Sequence, residues 1–88
     1  MRVKHIKEPK ESNDVYIGRG SIWGNPYKIG VHGDRDRVIR LYERHIFDSP
    51  ELLDKLPGLV DKNLVCYCAP KKCHGDILQH LVEKAVYL

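Results

Sequence analysis

Leu64-Val65-Cys66-Tyr67-Cys68-Ala69-Pro70-Lys71-Lys72-Cys73-His74-Gly75-Asp76 is the stretch on which the fold turns. Apolar alternation leads into it, and an amphipathic run leads out. Ile77, Leu78, Leu81, Val82, Ala85 and Val86 fall at three- and four-residue spacings. A period of two giving way to one near a helical turn predicts a strand over Leu64–Cys68 and a helix from about His74. The strand thus hands a polar, thiol-bearing loop to a helix start, the junction at which α/β proteins place ligand chemistry.

Upstream, the same rules supply the other elements. Val3 to Ile6 predicts a short first strand. Lys7 to Asp14 is polar and carries Pro9, which marks a loop. Val15-Tyr16-Ile17 predicts a second strand ending against Gly18. Asp34 is placed to cap a helix from Arg35 to about Phe47, with Val38, Leu41, Tyr42 and His45 or Ile46 as one apolar stripe. Ser49-Pro50-Glu51 opens a short second helix, serine capping and proline in the first turn, that stops near Leu56-Pro57-Gly58. The order β-β-loop-α-α-β-α predicts a single α/β domain over residues 1–88. It has two or three layers, about three or four strands, and a C-terminal helix packed on the sheet. So narrow a sheet favours a homo-oligomer that covers an exposed face.

At 88 residues the chain is near the lower limit of what folds without staples. Its hydrophobic content of 42% beside 31% charged residues excludes a disordered chain. No apolar run approaches the roughly 20 residues that span a bilayer. The basic start Met1-Arg2-Val3-Lys4 leads to no apolar signal core, so a cytoplasmic protein with no membrane partner is expected. An odd number of cysteines argues for thiol or metal chemistry over a disulfide framework. The net charge of +3 permits phosphate contact without the basic bias usual in nucleic-acid modules.

Three chemistries compete for the cysteine-histidine segment. Cys66, Cys68, Cys73 and His74 are the ligand types of a zinc site. Structural zinc, however, favours cysteines separated by about two to four residues, and adjacent side chains such as Cys73 and His74 diverge, so zinc is the less favoured alternative. An activated thiol or anion site fits better. A Cys73 thiolate would gain from the helix N-terminus and from Lys71 and Lys72, and His74 supplies an acid or base. Gly75 permits close approach of a phosphate, while Asp76 in the first turn would repel one and is better suited to hold His74 or a ligand hydroxyl. Third, Cys66 in a buried strand serves as a small hydrophobe.

Gly18-Arg19-Gly20-Ser21 has the composition of a phosphate-cradling turn, with backbone donors, a guanidinium and a hydroxyl. It matches no established phosphate-loop pattern. Trp23 either stacks on a base or anchors the loop to the core, Asn25 is a turn residue that can also bond a ligand, and Arg19 and Arg35 are anion contacts.

Taken together, Arg19-Gly20-Ser21-x-Trp23-Gly24-Asn25-Pro26, Gly33-Asp34-Arg35 and Cys66-Tyr67-Cys68-Ala69-Pro70-x-x-Cys73-His74-Gly75-Asp76-x-Leu78 resemble the domain-of-unknown-function family 4326, small proteins of bacteriophages and bacteria. The resemblance runs from about Val15 to Leu81, with Tyr67 where the family often has tryptophan. The Cys-His pair is also similar to family 488, in which arginine follows the histidine; Gly75 stands there in this chain, so an arginine-based anion site does not carry over. The resemblance implies a Rossmann-like layout in which the two motifs meet, and host cytoplasm if the protein is phage-encoded.

The expectation is a pocket between Gly18–Asn25 and Cys68–Asp76 for a phosphorylated ligand, a nucleotide or nucleotide-sugar. Arg19, Gly20, Ser21, Trp23, Asn25, Cys68 and Gly75 would bind it, and Cys73, His74 and Asp76 would supply any chemistry. The alternative is a non-catalytic, zinc-stabilised or partner-binding phage module that takes a host protein or nucleic acid.

Overall fold

The computed structural model describes residues 2–69 and 71–87, with side chains described as far as residue 84. Strands β1 (Arg2–His5), β2 (Asp14–Tyr16) and β3 (Asn63–Cys66) form one parallel sheet in the order β1-β3-β2. The helices are α1 (Arg35–Phe47), α2 (Pro50–Lys55) with a 3-10 turn at Leu56–Leu59 behind it, and α3 (His74–Tyr87). This is a small α/β domain.

Central β3 is buried along its whole length, as its apolar Leu-Val-Cys run suits. Val3 and Val15 both pair with Leu64, so the three side chains share a face of the pleat. On that face α3 packs, bringing Leu78, Leu81 and Val82 to a core shared with Ile17, Leu64 and Cys66. Beside α3 lies α1, whose fully buried Tyr42 and Ile46 join the same core. Asp34 caps α1 as expected, its carboxylate accepting from the Arg37 N–H at 2.9 Å.

The opposite face is polar. Because β1 and β2 flank β3 in parallel, the chain between them must run back along the sheet, and the 6–13 segment does so without a helix. It is strapped down by Lys4, only 1% exposed, whose Nζ donates to the Pro9 carbonyl at 2.8 Å and to the Asp14 carboxylate at 3.0 and 3.1 Å. Asn63 Nδ2 donates to the same carboxylate from β3 at 3.1 Å. One face is therefore covered by helix and the other by a hydrogen-bonded strap, which makes two layers.

Several boundaries differ from the sequence expectation. The first two strands begin and end one residue earlier, although Ile6 and Ile17 still donate to Cys66 and Val65. β3 stops at Cys66 instead of Cys68, where its pairing with β1 ends at His5. Cys66 and Cys68 consequently do not share a strand face. Ser49 stands at the N-cap of α2 as expected, but its hydroxyl makes no cap bond and donates instead to the His45 carbonyl at 2.8 Å. Pro70 and the side chains of Ala85 and Val86, assigned above to the loop and the helical stripe, lie outside the described residues.

Candidate functional site

Two loops leave the carboxyl ends of β2 and β3 and meet over α1. The first is held from within: Ser21 donates through its backbone N–H and its hydroxyl to the Gly18 carbonyl, at 3.2 and 2.7 Å. Gly24 folds against Gly18 so closely that a Cβ there would lie 2.8 Å from the Gly18 carbonyl oxygen. Two pins fix this loop to α1. Tyr42 donates its hydroxyl to the Trp23 carbonyl at 2.6 Å, and Asn25 Nδ2 donates to the Val38 carbonyl at 3.1 Å. Burial pushes the Tyr42 hydroxyl up from its ordinary pKa, so it remains a donor.

The second loop is closed by the start of α3. Asp76 reaches back to accept from the Cys73 N–H at 3.1 Å, the carboxylate half of a capping box. Arg35 Nη1 donates to the Lys72 carbonyl at 2.8 Å, tying the loop to the first turn of α1. His74, 7% exposed, lies 2.6 Å from the Ile17 carbonyl through Nε2. A carbonyl only accepts, so Nε2 carries a proton and donates it to Ile17. The Tyr42 ring meets the imidazole edge-on at 4.9 Å.

Between the loops is a cavity of about 200 Å³. Its walls are Arg19, Asn25, Tyr27 and Ile29 from the first loop, Arg35, Val38 and Ile39 from α1, and Cys68, Lys72, Cys73 and His74 from the second. Among the described residues three cations line it and no carboxylate does, although Lys72 Nζ lies 3.9 Å from Asp36 Oδ1. The two motif segments that the sequence sets far apart thus contribute to one cavity.

The named residues divide between lining and support. Arg19, Asn25, Cys68, Cys73 and His74 line the cavity. Gly20 and Ser21 do not, Ser21 being turned into its own loop. Trp23 is 5% exposed within the core cluster and anchors the loop, the second of the two roles expected for it. Gly75 has its close approach to Ile17 and Val3, and Asp76 caps the helix from an exposed position outside the cavity wall. Tyr27, Ile29, Val38 and Ile39 complete the wall. Ile39 alone carried a readable signal, being apolar but out of phase with the Val38–Tyr42–Ile46 stripe.

The thiols form a pair. Cys66 Sγ and Cys73 Sγ are 3.3 Å apart, both buried, and the Gly75 N–H donates to Cys73 Sγ at 3.3 Å. The S–H of Cys73 and the N–H groups of Cys68 and Ala69 draw the Cys66 thiol down from its ordinary pKa against the opposing effect of burial, while that same shared hydrogen bond and burial push Cys73 up. The pair therefore releases its first proton readily and holds the second. The described residues contain no group of three or more His, Cys, Asp and Glu side chains able to hold a metal ion.

The model of the family described as "Domain of unknown function (DUF4326)" matches residues 1–84, nearly the whole chain. The chain belongs to this family. It is also similar to the "Uncharacterized 12.4 kDa protein in nrdA-td intergenic region" of Enterobacteria phage T4, with 36% identity over 86 residues that cover 90% of this chain and 76% of the relative. No solved structure matches. Among the described residues, no helix is long and apolar enough to cross a membrane.

Proposed function

We propose that the cavity between the two loops binds a phosphorylated small molecule, a nucleotide or nucleotide-sugar. One observation carries this reading: Arg19, Arg35 and Lys72 line the wall with no acidic side chain among them. A phosphate group takes bidentate hydrogen bonds from guanidinium and a point charge from lysine, and a concave wall of one sign raises its local concentration. At about 200 Å³ the cavity suits the phosphate and sugar end. The base then lies at the open side against Tyr27 and Ile29, the latter 52% exposed. Tyr27 takes the stacking role for which Trp23 is too deeply set. The group placed for acid or base chemistry is His74, which lines the cavity with Nε2 held by the Ile17 carbonyl.

Calorimetric titration and thermal shift with a panel of nucleoside phosphates and nucleotide-sugars test the reading. Binding is expected to weaken as salt rises. Arg19→Ala and Arg35→Ala should each weaken it about tenfold, on the order of 1.4 kcal/mol. Absence of any response across the panel overturns the proposal and leaves a partner-binding module in its place.

A further inference from the structure

The proposed ligand site makes no use of the buried thiol pair, although Cys73 forms part of its wall. Cys66 ends β3 and Cys73 stands immediately before α3, so both sulfurs are positioned by backbone held in regular structure. They lie 3.3 Å apart without being bonded. A disulfide requires about 2.05 Å, so closing it takes a movement of only about 1.3 Å. Cys68 and Lys72, between them in the chain, line the cavity. Both residues are buried, and Cys73 lines the cavity.

We infer that Cys66 and Cys73 form a reversible redox pair, oxidised to an intramolecular disulfide by a small peroxide that enters through the cavity. Cys73, the sulfur facing the cavity, attacks one peroxide oxygen. An S–O bond forms, the O–O bond breaks, and the departing hydroxide leaves as water with a proton from solvent, replacing the one the pair gave up on ionising. Cys66 then attacks the resulting sulfenic sulfur. The S–S bond forms, the S–O bond breaks, and the second hydroxide takes the Cys66 proton to leave as water. Two thiols are oxidised by two electrons, and one hydrogen peroxide is reduced to two waters.

Three features favour this pair over the remaining thiol. The shared S–H lets one proton move between the sulfurs, so charge can be placed on Cys73 as it attacks, where the Gly75 N–H supports it. The resolving sulfur is already in contact, which outcompetes further oxidation of the sulfenic acid. Cys68 lies outside the strand and beside the cavity, with no described sulfur in hydrogen-bond contact. The resulting bond would join the end of β3 to the start of α3.

The whole protein, treated with stoichiometric hydrogen peroxide and then alkylated under denaturing conditions, is the test. Reduced protein should take an alkyl group on every cysteine. Oxidised protein should take one only, at Cys68, weigh two hydrogens less, and yield a peptide linked through Cys66 and Cys73. Dithiothreitol should reverse all three. Cys68→Ser, which leaves the buried pair and the core intact, should still form the link, so the result does not depend on a Cys66 or Cys73 variant folding. Alkylation of all three cysteines after peroxide, a link through Cys68, or sulfinic acid without a link would overturn the inference. None of these readouts depends on nucleotide binding.

Discussion

Gly75 sits where α3 comes closest to the sheet. A Cβ at that position would lie 2.8 Å from Ile17 Cδ1 and 3.1 Å from both methyls of Val3. The Ile17 side chain is wholly buried and has little room to yield. Gly75→Ala should therefore cost on the order of 1–2 kcal/mol, overpacking outweighing the better helix propensity of alanine. Gly58 gives the contrast within the same protein. No atom lies within 4 Å of its would-be Cβ and its φ is ordinary, so Gly58→Ala should stabilise by about 0.4–1 kcal/mol through the unfolded chain. Urea unfolding of the two variants reads both signs, and destabilisation by Gly58→Ala or stabilisation by Gly75→Ala would contradict the packing described. Glycine in the first turn of a helix suggests phosphate approach when read along the chain; the neighbour that requires it is Ile17, just beyond β2 on the face that α3 covers.

At the scale of elements, the 18–34 segment keeps its shape because α1 holds it. Tyr42 donates to the Trp23 carbonyl from a fully buried ring, and Tyr42→Phe leaves that carbonyl without its donor. The expected loss is about 1–2 kcal/mol. Trp23 is the sole tryptophan, so a red shift and broadening of its fluorescence should report the loosened loop directly. An unchanged spectrum with unchanged stability would show that the Asn25–Val38 bond suffices. The α1 helix itself was legible in the sequence from cap to last turn, since its aspartate, apolar stripe and length are all local. The short strands were legible to within a residue or two. The early end of β3 was not, because it is set by where its partner strands end.

For the whole molecule, the strap on the polar face links β1, β2 and β3 through ionisable groups, and this gives stability a pH dependence. Asp14 is held below its ordinary 3.8 chiefly by the Glu11 N–H, with burial opposing and Lys4 and Asn63 adding. Lys4 is held above 10.5: burial alone would lower it, and the bonds and charges of Asp14 and Glu11 outweigh that. A lowered carboxyl stabilises the fold above its unfolded-state pKa and ceases to as pH falls through the folded value. A raised ammonium stabilises below 10.5 and ceases to as pH rises through its folded value. The strap's contribution should thus be level between about pH 5 and pH 10 and lost on both sides. Asp14→Asn should flatten the acid limb of a urea-midpoint profile, and an unaltered limb would remove the strap from the account. The sequence by itself determined the helices, the approximate strands, the single α/β domain and the two loops from which the candidate cavity is built, because periodicity, caps and turn residues act within a few positions. Tertiary structure alone decided that β3 is central, that Lys4 is buried under a strap, that Trp23 is core, that Asp76 is a cap, and that Cys66 meets Cys73. Those outcomes depend on strand order and register, which bring together residues that no local pattern relates.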